Sequence, residues 1–301
     1  HGWDHAFESE TLQDWFVASN LGAVNVSFPI PLGSLIPEGY EGVLVAGRCI
    51  SVDHDVSTSV RMNRDMQKSG EAAAAAAWLS IKKNLPLKDL PYEDLLSLLK
   101  ETGCYDEKND LGYQQTYRID GKLVSEKIEW LQDSNLIKQG LSSEKPGIAI
   151  WSAKRLGESI KEKLIEWINE AQQNTDKSER TEALKKHSAI ALALIGGKEA
   201  LPILRSMIKE RDSFILKDCR KNSQMRGFIA IYLAGKLRDT EIIDELIDII
   251  CNPKEFEKPL YQDKNLSTIR YAVEGYNDIY FQFFSHSVMA LTKIGDKYEE
   301  Y

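Results

Sequence analysis

The feature that most restricts how this chain can fold is a recurring pair of apolar helical segments in its second half. Ala189-Ile-Ala-Leu-Ala-Leu-Ile-Gly-Gly leads into Ala200-Leu-Pro-Ile-Leu-Arg-Ser-Met-Ile. Phe228-Ile-Ala-Ile-Tyr-Leu-Ala-Gly leads in the same way into Ile242-Ile-Asp-Glu-Leu-Ile-Asp-Ile-Ile, and Val288-Met-Ala-Leu-Thr-Lys-Ile-Gly opens a third copy. The apolar spacing is helical rather than alternating. Alignment on Gly196, Gly235 and Gly295 gives intervals of 39 and 60 residues. The first lies near the period of HEAT and armadillo repeats, and a polar, proline-containing insert at about 253–278 accounts for the second. Each copy reads as helix, glycine turn, helix, and such hairpins bury their apolar faces by stacking. Residues 152–301 are therefore predicted to form a HEAT-like helical repeat domain, with an irregular helical bundle as the alternative.

The first third is written differently. Residues 24–52 are turn-rich, and Val43-Leu44-Val45-Ala46 is apolar without alternation, the pattern of a strand buried on both faces of a parallel sheet. A helix is predicted to follow, capped by Ser57, Thr58 or Ser59, running through Gly70 and Ala72 to Ala77, with Lys82 and Lys83 in its last turn and Pro86 beyond. Tyr92-Glu-Asp-Leu-Leu-Ser-Leu-Leu-Lys reads as a shorter helix ended by Gly103. Residues 104–151 read as a linker or irregular region with one further helix at 124–132. The predicted fold class is mostly α with a small α/β part at residues 1–103.

Charge and composition narrow the function. Of 301 residues, 46 are acidic and 38 basic, for a net charge of −8. That balance opposes a general nucleic-acid surface or attraction to anionic lipid. No apolar run is long enough to span a membrane, and the first residues have no signal-peptide pattern. We expect a soluble protein, cytoplasmic or periplasmic. Cys49, Cys104, Cys219 and Cys251 are widely separated and form no Cys/His cluster; His1 and His5 have the i, i+4 spacing of a metal-binding pair but no further ligands, so no metal is predicted.

One stretch resembles a known family. Ile30-Pro31, Leu35-Ile-Pro-Glu-Gly39, Val43-Leu-Val-Ala-Gly-Arg-Cys-Ile-Ser51, His54, Ser59-Val60-Arg61 and Gly70 are similar to the C-terminal flavin-binding segment of the FAD-dependent oxidoreductases, a family with many bacterial members. The resemblance covers about residues 29–80 and continues more weakly to 103. It implies FAD as the cofactor of the full-length protein. It also implies a site in which Gly47, Arg48, Ser59, Arg61, Met62 and Gly70 contact the flavin and ribityl part. In such a site a strand brings a glycine turn to the ribityl chain, and a helix N-terminus faces the flavin pyrimidine. This sequence departs from the pattern at Leu32, Gly33, Asp55, Asn63 to Ser69, Glu71 and Ala74.

No two of the nineteen glycines make a G-x-G triplet, which the dinucleotide-binding fingerprint requires. The chain is therefore expected to be the C-terminal portion of an oxidoreductase, inactive alone and binding no FAD by itself. Its expected partner is a dinucleotide-binding segment supplied from elsewhere. Self-association through an unpaired strand edge at Val43–Ala46 is a further expectation. The alternative function is a protein–protein interaction module built on the helical repeats.

Among individual residues, Arg48 is either a phosphate or flavin contact or a surface arginine paired with a carboxylate. His54, between Asp53 and Asp55, is the one candidate proton donor, against the plainer reading of a polar loop histidine. Ser57 and Ser59 read most simply as helix caps, and Cys49 as a small filler closing a buried strand.

Overall fold

The computed structural model describes residues 10–22, 24–27, 29–53, 56–57, 60–107, 112–119, 122–176, 178–218, 224–257 and 276–295. In chain order its main elements are α1 (Glu10–Gln13), continued by a π-helical turn Asp14–Ala18; β1 (Val24–Val26); α2 (Asn63–Lys83); α3 (Tyr92–Glu101); β2 (Tyr113–Ile119); β3 (Lys122–Lys127); α4 (Ser134–Leu141); α5 (Gly147–Leu156); α6 (Glu158–Gln173); α7 (Glu179–Leu194); α8 (Leu201–Lys209); α9 (Arg226–Lys236); α10 (Ile243–Cys251); and α11 (Tyr276–Gly295). The chain divides into two compact units. One contains Asn25–Ile128 and the other Glu10–Val24 with Glu129–Tyr301.

The first unit is built on α2. Its buried side chains fall into two small clusters, Leu35, Ile50 and Val60 in one, and Ala76, Leu79, Leu87, Leu90 and Leu95 in the other. Leu32 and Leu44 pack against both. Val43–Ala46 is not a strand. Val45 N–H donates to Leu35 C=O at 2.8 Å, Val43 is exposed, and the run has no ladder partner among the described residues. An apolar run becomes a buried strand only where neighbouring strands take up its backbone groups, and here a short 3-10 turn, Leu32–Leu35, stands in that place.

The predicted long helix forms but begins at Asn63 rather than at the serines. Val56, Ser57 and Val60 are helical, but the run breaks at Arg61 and Met62 before α2 begins, with Val60 buried beside Leu35 and Ile50. Thr58 and Ser59 lie outside the described residues, and Ser57 N–H donates to Asp53 C=O at 2.9 Å. The C-terminus is closed by Asn84 in the left-handed region (φ 55°). Leu85 N–H reaches Ser80 C=O and Asn84 N–H reaches Ile81 C=O, the pairing of a Schellman-type cap.

Residues 104–151, expected to be a linker, carry regular structure instead. The helix expected at 124–132 is strand β3, antiparallel to β2 from Gln114↔Lys127 to Ile119↔Lys122. β1 lies on the other side of β2. The sequence signal was available: Asp120-Gly121, a pair that favours two-residue hairpins, separates two β-prone runs.

The second unit is mostly helical among its described residues, with an isolated antiparallel bridge Ile215↔Met225, and its helices pair in hairpins phased differently from the expectation. Positive-φ residues turn the chain at Gly157 (57°), Gly196 (87°) and Arg238 (55°). They link α5 to α6, α7 to α8 and α9 to α10. From the second hairpin to the third, the turn and the second helix move by 42 positions: Gly196 to Arg238, Lys198 to Thr240, Leu201 to Ile243 and Lys209 to Cys251. Gly235 is no turn residue. It sits inside α9, where an added Cβ would lie 2.7 Å from Ala290 Cα, so its role is to let α11 approach. Gly295 is the last residue of α11.

The first helices of successive hairpins, α5, α7, α9 and α11, pack on one another in turn, and α6, α8 and α10 each pack on the first helix that follows. Consequently α9 is buried on all sides from Arg226 to Gly235, as is α7 from His187 to Leu194. Phe228, Phe256 and Phe283 interlock at ring distances of 4.6 and 5.0 Å. Among the described residues no helix is long and apolar enough to cross a membrane.

Candidate functional site

The first unit brings Arg48, Arg61 and Arg64 together where two pieces of irregular backbone meet the start of α2. The first is the turn Gly47–Cys49. Gly47 has φ +71°, a conformation that strains any residue with a Cβ. Its N–H donates to Ser69 Oγ at 3.0 Å, and that hydroxyl donates to Met66 C=O at 2.8 Å. Ser69 is buried, so this relay pins the turn, and with it the backbone of Arg48, to the second turn of α2.

The second piece is the entry to the helix. Met62 is extended and supplies no side-chain cap, and the first helical bond runs from Met66 N–H to Met62 C=O at 3.0 Å. The amides of Asn63, Arg64 and Asp65 therefore have no carbonyl within the helix to bond, and they carry the positive end of its dipole. An open pocket of about 550 Å³ lies over them, lined by Arg48, Arg61, Met62, Asn63, Arg64 and Asp65. Three exposed guanidinium groups oppose a single carboxylate there, in a protein that is acidic as a whole. Chemically the arrangement suits an anion with several acceptor oxygens, which arginine can meet in forked fashion.

Of the residues singled out from sequence, Arg48, Arg61 and Met62 line this pocket, and Gly47 forms the turn that presents Arg48. Gly70 lies farther along α2, outside the lining, where an added Cβ would meet nothing within 4 Å. His54 and Ser59 lie outside the described residues. Cys49 is exposed rather than buried as a filler, because the segment before it is not a buried strand. Asn63, Arg64 and Asp65 were not anticipated. They read as departures from a family pattern, and only the late start of α2 makes them its first turn.

A second polar cluster adjoins α2. Lys68 pairs with Glu71 at 2.9 Å and donates to Gly103 C=O, while Cys104 Sγ approaches Lys68 C=O at 3.5 Å. Desolvation, with the Glu71 carboxylate adding to it, pushes the Cys104 thiol up to about 11, so it is protonated at neutral pH and is no thiolate nucleophile. Among the described residues there is no group of three or more His, Cys, Asp or Glu side chains placed to hold a metal ion.

Residues 9–99 match the family model described as FAD dependent oxidoreductase. The match contains the whole of the pocket and stops before the β2–β3 hairpin and most of the helical unit. Neither a curated protein nor a solved structure matches the chain. The matched segment is thereby related to a flavoprotein oxidoreductase family.

Proposed function

We propose that residues 29–103 are the flavin-facing C-terminal segment of an FAD-dependent oxidoreductase. The observation that carries this reading is the set Arg48, Arg61 and Arg64 around the uncapped start of α2, within the segment that matches the family. These residues fit the anionic parts of FAD. Guanidinium groups and the amides of a helix start favour phosphate oxygens or the oxygen of a reduced flavin ring, and the open, positive-φ turn at Gly47 admits backbone to a ligand. When bound, FAD would supply the electron-transfer chemistry, and this chain would bind and orient it and stabilise negative charge. Asp65 stands on the same rim and tempers the positive field.

The adenosine half of FAD needs a separate dinucleotide-binding segment, since the glycine fingerprint is not found in these 301 residues. The thin core of the first unit, with Met62, Trp78, Ile81 and Tyr92 exposed, is consistent with a surface that such a segment covers. The test is to supply that segment, as the product of the complete reading frame, and to measure flavin absorbance and content. A yellow protein whose flavin content falls in Arg48→Ala and Arg61→Ala supports the reading. A colourless protein that FAD does not reconstitute refutes it.

A second reading concerns the other unit. The three turns at Gly157, Gly196 and Arg238 and the 42-residue shift favour a HEAT-like stack that serves as a protein-interaction module. Capture of a defined partner by the full chain, lost on charge reversal along the exposed face of α6, α8 or α10, would support it.

A further inference from the structure

Residues 10–22 lie within the family-matched region, yet they belong to the helical unit. Val17 and Ala18 join the apolar core of that unit, and beside them the segment is held by polar and aromatic contacts with the composition of a recognition site. Asp14 is almost wholly buried. Its carboxylate accepts from Tyr232 OH at 2.7 Å, from Lys236 Nζ at 2.8 and 3.0 Å, and from Lys154 Nζ at 2.5 Å. Lys236 also pairs with Glu10 at 3.1 Å. Burial, followed by the Asp14 charge, raises the Tyr232 phenol well above its usual range, so it remains a donor.

One residue on, Trp15 stands edge-on to Trp151 at 4.7 Å and to Trp130 at 5.9 Å. Asn20 Nδ2 donates to Leu216 C=O at 2.8 Å. At Ser19 the backbone passes so near α5 that a Cβ on Gly147 would lie 2.2 Å from Ser19 C=O. The receptor thus offers two lysines, a phenol, a tryptophan pair and a notch where a side chain is missing. Aromatic anchors and desolvated charge pairs of this kind dominate binding where separate chains meet.

We propose that this face of the helical unit is a docking site for an acidic–aromatic helical turn of the type Glu-x-x-x-Asp-Trp, and that residues 10–22 occupy it as an intramolecular ligand. The bound turn is π-helical over Asp14–Ala18, a rare geometry that is frequent at functional sites, and it sets Asp14 and Trp15 towards their separate partners. The inference does not depend on the flavin reading, because the site is built wholly from the helical unit.

The test uses the full chain with a protease site inserted after Gly22. After cleavage, a labelled synthetic peptide of residues 9–22 is titrated against the protein and followed by fluorescence anisotropy, with circular dichroism as the check on folding. Saturable exchange of the peptide for the cleaved segment is expected. Asp14→Ala made only in the peptide should weaken its binding on the order of 30-fold or more, the loss expected when one partner of a buried charge pair is truncated. Since the receptor is unaltered, this loss is not a folding defect. Equal affinity of the Asp14→Ala peptide would overturn the proposal. So would a cleaved protein that unfolds or never rebinds the peptide, which would make the segment an integral part of the core.

Discussion

His286 gives a direct test of how the helical unit is packed. It is fully buried in α11, with its ring stacked on Phe228 at 5.8 Å. Nδ1 meets Gln282 C=O at 2.7 Å, and Nε2 has no hydrogen-bond partner among the described residues. Desolvation lowers its pKa to about 4 from 6.5. A base whose folded pKa is depressed leaves stability intact above its unfolded pKa, and that stability is lost as pH falls towards the folded value. At pH 5 the unfolded chain would be almost fully protonated at this site and the folded chain scarcely at all. The linkage relation makes that a loss of about 2 kcal/mol relative to pH 7.5. The whole-protein profile does not isolate this effect. His187, lowered to about 3 by burial and then Arg226, adds a loss of the same sign. Asp218, raised to about 7 by burial, contributes in the opposite sense, since its deprotonation weakens the fold as pH rises.

The perturbation is therefore His286→Phe, which keeps the aromatic packing and removes the titration. The assay is urea unfolding of the helical transition, followed by circular dichroism at pH 7.5 and pH 5 for both proteins. The difference in stability between variant and wild type should shift by about 2 kcal/mol in favour of the variant at the lower pH. A difference that does not change with pH would mean that water reaches His286 in the folded state, and the tight α9–α11 packing described above would be wrong.

Gly235→Val should destabilise the helical unit by roughly 1–3 kcal/mol through overpacking against Ala290, read as a lower Tm. By contrast, Gly70→Ala should raise stability by about 0.5–1 kcal/mol, since the site has room and alanine favours helix. Ser69→Ala should cost about 1–3 kcal/mol in the first unit by stranding the Gly47 amide, and faster proteolysis within 42–51 would report it. Titration of FAD against the purified 301-residue chain, followed by flavin fluorescence, should show no saturable binding at low micromolar concentration. Saturation there would refute the need for a separate adenosine-binding segment.

Local chemistry made some of this legible from the residues alone. The alanine-rich run of α2, the charges in its last turn, the short helix before Gly103 and the helical period after 152 all express propensities that act within a few residues. The flavoprotein resemblance was likewise readable, because Val-Ala-Gly-Arg-Cys-Ile-Ser is a contiguous string. Contacts between distant residues decided the rest. Whether Val43–Ala46 becomes a strand depends on neighbours that the string does not specify, and in this structure one hydrogen bond to Leu35 takes their place. Arg64 joins the pocket because the break at Arg61 and Met62 puts the start of α2 at Asn63. Gly235 looked like a turn because glycine ends many helices, but its missing side chain serves α11, more than fifty residues later in the chain. The placement of Asp14 is the clearest case. A lone aspartate in a short helical turn reads as solvated, and only the convergence of Lys154 from one helix with Tyr232 and Lys236 from another supplies the donors that make its burial stable.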